Sequence, residues 1–255
     1  MVNYDEILKF IVASGDRLVT KHGKVKDIGI TKTDLTEEDL VIERGLKDII
    51  NSFGKDHVLF AEEENDTFVG SENIWVSDPI SGTHRFIKGE SHYAIVVSHL
   101  VNHQPVFAAV YDPSVKELFS AYQNRGSFLN KTPIKVSQNL KKVIVRPSMV
   151  WKDPQVIQRM LALLQNKEIE NNTYSIAINY CMVACGRFDG IVSFTKDTFP
   201  EFAGSLIIRE AGGVFTNIDG QENILPSDRI FVAGNKNTYK ELYQLAKKAV
   251  YENRD

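Results

Sequence analysis

The sequence predicts a layered fold of helices and sheets in two halves, 1–140 and 141–255. Three patterns carry this prediction. Two amphipathic helical stretches lead the chain. Short β-rich runs separated by turn residues then extend from His57 to Val136. From Val143 onward, strand-like and helix-like stretches alternate, as in a layered α/β unit.

The elements follow in order. Tyr4 to His22 places Ile7, Phe10, Ile11 and Leu18 at helical spacing, and Gly23 ends the helix. Lys24 to Thr33 is mostly polar and reads as a loop or short strand. Thr36 opens a second helix as its N-cap, with Glu37, Glu38 and Asp39 in the first turn, and this helix runs to Gly54. Val58-Leu59-Phe60 and Asn73 to Ser77 read as strands that end in acids, at Glu62 to Glu64 and at Asp78. His92 to Leu100 and Pro105 to Tyr111 read as a hairpin. Glu117 to Tyr122, Ser127 to Leu129 and Ile134 to Val136 continue an antiparallel meander. The second half gives strands at Val143–Arg146, Gly190–Phe194, Gly213–Thr216 and Ile230–Val232. Its helices are expected at Pro154–Leu164, Ser175–Gly186, near Pro200–Glu210 and at Tyr239–Tyr251.

Composition narrows the function. The 255 residues allow one large domain or two small ones and can bury a core without staples. Apolar residues are 43% and charged residues 25%, ordinary globular usage. The net charge of −3 gives no broad basic surface, so nucleic acid is not an expected partner. No run of about 18 apolar residues occurs, so no membrane span is expected. The N-terminus has no secretory pattern, and the cytoplasm is the expected location. Cys181 and Cys185 share a helix face in an apolar run and read as reduced core thiols; a metal pair would need further ligands nearby.

The strongest local signal is Asp78-Pro79-Ile80-Ser81-Gly82-Thr83. A strand delivers a carboxylate to its C-terminal end, Pro79 fixes the turn, and Gly82 permits close backbone approach before a helix starts near Thr83. Glu62 is expected at the end of the neighbouring strand. Two carboxylates beside a helix start suit a hard cation next to a phosphate. An acidic surface turn followed by an ordinary helix cap fits the same residues. His84, expected in a loop, has no metal spacing with His92 or His103, and no P-loop, Rossmann or Gly-x-Ser-x-Gly pattern occurs.

Four segments together resemble the inositol monophosphatase family of Mg²⁺-dependent phosphatases, which includes relatives that cleave fructose bisphosphate and nucleotide bisphosphates. Thr36-Glu37-Glu38-Asp39 followed by Glu43 is similar to T-x-x-D-x-x-x-E, and Ala61-Glu62-Glu63 to G-E-E. Trp75 to Thr83 (WVSDPISGT) resembles W-V-I-D-P-I-D-G-T, and Glu210-Ala211-Gly212-Gly213 resembles E-A-G-G. The resemblance implies an α-β-α-β-α sandwich with the site in the cleft between the halves, and a homodimer. It implies that Glu62, Asp78 and the Ile80 carbonyl hold a first Mg²⁺. Asp39 and Thr83 would orient the attacking water, and Glu63 would stand behind the first ion or hold a third, weaker one. Ser81 and the N–H groups of Gly82 and Thr83 would lie at the phosphate.

Two positions depart from that pattern. Ser81 and Pro200 stand where the family carries aspartates that, with Asp78, hold a second metal. A unit charge about 4 Å from a cation contributes roughly 4 kcal/mol of gross attraction at an effective dielectric near 20. The two losses therefore imply one good ion site and a depleted second. Glu201 or Asp197 could reach back as a substitute; each also reads as a solvated charge near a helix start. Ser193 replaces a glutamate that contacts sugar hydroxyls, and Arg85 replaces a common asparagine. Arg85 reads either as a surface charge or as added positive charge near the phosphate. The expected function is Mg²⁺-dependent hydrolysis of a small phosphorylated metabolite. The alternative is a degenerate relative, weakly active or inactive, that binds phosphate or metal in a regulatory role.

Overall fold

The structure is a computed structural model that describes residues 2–30, 34–64, 70–138, 142–148, 151, 153–170 and 172–251. Helix α1 (Tyr4–Lys21) buries Ile7, Ile11 and Leu18 along one stripe, and α2 (Glu37–Phe53) buries Ile42, Leu46 and Ile50. These stripes cover one face of a seven-stranded sheet. Its strands are β1 (His57–Ala61), β2 (Asn73–Ser81), β3 (Ala94–Val101), β4 (Gln104–Asp112), β5 (Glu117–Tyr122), β6 (Gly126–Leu129) and β7 (Thr132–Ile134), paired in chain order. The short helix α3 (Thr83–Lys88) lies between β2 and β3.

The second half adds β8 (Lys142–Pro147), α4 (Pro154–Leu163), β9 (Glu168–Glu170), α5 (Ile176–Ala184), β10 (Gly190–Phe194), α6 (Phe199–Glu210), β11 (Val214–Asn217), β12 (Ile230–Gly234) and α7 (Lys236–Tyr251). Its five strands run in the order β11-β12-β10-β8-β9. Side-chain alternation explains the layering. In β3, Ile95 and Val97 join the core under α1 and α2, whereas Ala94 and Val96 join the core shared with α5 and α6. In β8, Ile144 faces that same α5–α6 core, and Val143 and Val145 face α4 and α7. The result is the expected five-layer α-β-α-β-α sandwich. Strands apolar on both faces require this double cover.

Several expectations are corrected. The first sheet is mixed, because β1 pairs with β2 in parallel. Strand β2 does not stop at Asp78 but continues to Ser81, through a bulge opposite β3 that accommodates Pro79, a residue with no N–H to donate. His84 is in helix α3 rather than a loop. The last meander strand is Thr132–Ile134, two residues earlier than expected. Strand β9 was not foreseen, because Glu168-Ile169-Glu170 is short and polar. Residues 24–30 form no regular element, and 31–33 lie outside the described residues. The expected boundary at 140/141 also lies outside them.

Helices α5 and α6 form the central layer and approach closely at Gly204. A Cβ there would lie 2.4 Å from Cδ2 of the buried Tyr180 ring. Gly204→Ala gains about 1 kcal/mol of helix propensity, but overpacking costs about 1–3 kcal/mol. With a ring that close, the clash should win. Urea denaturation is expected to give a net loss of stability; an unchanged or higher midpoint would refute this account of the contact.

Candidate active site

The parallel register pairs Ala61 with Ser77, so the next residues, Glu62 and Asp78, emerge side by side. Asp78 is buried, and its Oδ1 has no hydrogen-bond partner. Burial pushes its carboxyl well above the ordinary range, with Glu62 and Asp197 adding to the shift. The chain then turns at Gly82, whose φ of +86° is in the left-handed region that favours glycine, and enters α3. Helix starts leave N–H groups without intrahelical acceptors.

Asp39 reaches the same place from α2. Its Oδ2 accepts from the Thr36 N–H at 2.8 Å and from the Thr36 hydroxyl at 2.6 Å, which closes the first turn of that helix. Its Oδ1 lies 3.3 Å from Thr83 Oγ1, and that hydroxyl is 2.7 Å from the Ile80 carbonyl. Burial raises the Asp39 pKa to about 7; the Thr36 hydrogen bonds oppose the shift, and Glu63 and Glu62 add to it. Glu43, also on α2, braces the acidic turn by accepting from the Glu63 and Glu64 N–H groups at 3.0 and 2.8 Å. Glu63 is partly buried there and does not line the cleft.

The cleft between the halves encloses about 490 Å³, within the usual range for small-molecule sites. Glu62, Asp78, Ser81, Gly82 and Thr83 line one wall, and Lys196, Asp197, Pro200 and Glu201 line the facing one. Ser81 accepts a hydrogen bond from Ser175 Oγ at 2.8 Å, tying the β2–α3 turn to the start of α5. Pro200 is in the first turn of α6. Glu201, one position later, is fully buried; its Oε1 accepts from the Tyr180 hydroxyl at 2.9 Å, and its Oε2 has no hydrogen-bond partner. Burial, with Asp197 adding to it, holds Glu201 well above the ordinary carboxyl range.

Two expectations change here. Ser193 is fully buried with its Oγ 2.7 Å from the Tyr180 hydroxyl and does not line the cleft, so it is not placed to touch a substrate. Arg85 is not a solvated surface charge. It is buried, donates to the Ser91 carbonyl at 2.6 Å and to the Thr173 carbonyl at 3.1 Å, and pairs with Glu90. Arg146 grips the same 173–174 loop from β8, with Nε and Nη2 donating to the Tyr174 carbonyl at 3.3 and 3.2 Å. Sequence reasoning missed Arg146, Ser175, Tyr180 and Lys196. Only Lys196 carried a signal, as the cation adjoining Asp197.

The donor set suits a hydrated hard cation. Among the described residues no three His, Cys, Asp or Glu side chains are grouped as a metal cage. Mg²⁺ does not need one, because it keeps several waters and takes few carboxylates. The unpartnered, buried oxygens of Asp78 and Glu201 are the kind of atom such an ion satisfies.

Known proteins resemble the chain in both sequence and fold. The profile of the inositol monophosphatase family matches residues 10–251. The fructose-1,6-bisphosphatase/inositol-1-monophosphatase of Aquifex aeolicus is 30% identical, with 96% of each chain covered. The Nus factor SuhB of Haemophilus influenzae is 28% identical over 78% of this chain and 77% of its own. An IMPase of Thermotoga maritima superposes with a TM-score of 0.85 at 26% identity, covering 98% of both chains. No helix among the described residues is long and apolar enough to cross a membrane. On sequence and fold alike, the chain belongs to the inositol monophosphatase family.

Proposed function

We propose that the protein is a Mg²⁺-dependent phosphomonoesterase acting on a small phosphorylated metabolite. The observation that carries the reading is the buried Asp78 oxygen without a partner, beside Glu62 and facing the cleft. Glu62, Asp78 and the Ile80 carbonyl would hold one ion, and Glu201 or Asp197 would take the role that Pro200 cannot fill. When bound, the ion supplies Lewis-acid stabilisation of the phosphoryl charge and a more acidic water.

The chain's own groups do the rest. The Gly82 and Thr83 N–H groups, with Ser81 beside them, orient the phosphate. Thr83 Oγ1 has one proton and two acceptors within reach, the Ile80 carbonyl and Asp39 Oδ1. Asp39, with a pKa raised toward neutrality, can take up a proton that Thr83 passes from the attacking water. Arg85 and Arg146 hold the 173–175 loop and, through Ser175, the phosphate turn. Arg85 itself lines the cleft, so it would also bring positive charge near the phosphate.

A second reading rests on Ser81 and Pro200: a family member that binds but does not hydrolyse. The SuhB-named relatives favour keeping it in view.

Phosphate release from inositol phosphates, fructose bisphosphate and nucleotide 3′,5′-bisphosphates, with Mg²⁺ or Mn²⁺, separates the two readings. Activity is expected in the wild type, with a loss of about 10²–10⁴-fold in Asp78→Asn or Asp39→Asn. A silent wild type that gains activity only as Ser81→Asp would favour the second reading. We also read the chain as a homodimer, so light scattering should give twice the chain mass.

Asp39 makes a separate prediction for the metal-free protein. Its folded pKa of about 7 exceeds the ordinary 3.8. Between these values the folded chain keeps a proton that the unfolded chain has released, so this group's stability contribution is lost as pH rises. In EDTA, Asp39→Asn should melt above the wild type at pH 8, with the gap shrinking toward pH 4. A gap that does not change with pH would refute the raised pKa.

A further inference from the structure

Lys196 lies between β10 and α6, and its ammonium is bonded across the cleft. Nζ donates to Glu62 Oε1 at 2.9 Å and lies 3.7 Å from Asp197 Oδ2. Glu62 is 134 positions away in the chain, so the contact depends on the two halves closing. Its side chain is only 12% exposed, whereas that of Lys196 is 52% exposed. A carboxylate that deep needs a counter-charge, and the lysine supplies one from the solvent side on a flexible four-carbon stem. A lysine ammonium is a full positive charge throughout the neutral range at its ordinary pKa. Beside it, Asp78 Oδ1 and Glu201 Oε2 remain buried and unpartnered, so one ammonium does not satisfy the site.

We propose that Lys196 is a tethered cation of this site. It neutralises Glu62 and Asp197 in the metal-free cleft, and a divalent ion enters by displacing its ammonium from Glu62. The inference rests on the reading of Glu62 and Asp78 as the ion's carboxylates. Two cations cannot crowd one carboxylate without mutual repulsion, so loading is an exchange. The exchange weakens the apparent affinity for the ion and lets the acids stay folded and compensated without it. The released ammonium then stands at the cleft wall, where an anionic substrate enters.

Mn²⁺ binding, followed by electron paramagnetic resonance, tests the exchange in the wild type, Lys196→Met and Lys196→Arg. Lys196→Met should bind Mn²⁺ about tenfold more tightly or better, and Lys196→Arg should stay near the wild type. Equal or weaker binding by Lys196→Met overturns the inference while leaving the ion-holding reading intact. Absence of binding in both wild type and Lys196→Met overturns both. Should Lys196→Met fail to fold, reductive methylation of the wild type decides instead. Peptide mapping should show Lys196 modified faster with saturating Mg²⁺ than with EDTA; an unchanged or slower rate overturns the proposal.

Discussion

The parallel pairing of β1 with β2 is the constraint on which the site depends. In an antiparallel pair the two strands would send their C-terminal ends to opposite edges of the sheet. The parallel register sends both the same way and sets Glu62 next to Asp78. Like charges at adjacent strand ends repel, and burial of Asp78 makes that repulsion costly. The arrangement survives because the surroundings hold it in place. Glu43 fixes the turn after β1, the bulge at Pro79 fixes the end of β2, and Ser175 grips Ser81 from the other half.

Charge compensation then shapes the facing wall. The resemblance to the family implies further aspartates at the positions of Ser81 and Pro200. Here both are gone, and a lysine is bonded to Glu62. Ser81 makes a neutral hydrogen bond where a carboxylate would add to the repulsion on Asp78. Glu201 keeps an acid at the wall, but its Oε1 is engaged by Tyr180. The substitutions move in one direction. Both replace a carboxylate by a neutral residue and so lower the negative charge of the cleft, and Lys196 offsets part of what remains.

The sequence showed most of this where chemistry is local. Thr36 is legible as an N-cap with Asp39 in the first turn, because helix starts are marked locally. Glu62 and Asp78 are legible because each ends an apolar run. The order of strands and helices followed from periodicity, although β9 did not, because three residues with two glutamates carry no β pattern. What was hidden depends on distant partners. Nothing local shows that Ser193 meets Tyr180, that Arg85 folds inward onto Thr173, or that Lys196 reaches Glu62. Arg85 illustrates the difficulty, since an arginine on a six-residue helix looks solvated until a loop 88 positions later closes over it.

Helix α6 shows why fold and site cannot be separated here. It packs between the two sheets, and Gly204 lets it lie against Tyr180 of α5. The same Tyr180 donates to Glu201 in the first turn of α6. A helix N-terminus favours negative charge, yet burial opposes it more strongly and holds the Glu201 carboxyl above its ordinary range. The tyrosine that fills the gap at Gly204 is thus also the residue that holds one oxygen of that acid. Any substitution that shifts α5 against α6 must also move Glu201. The central layer is therefore both the core of the sandwich and the mount for one wall of the site.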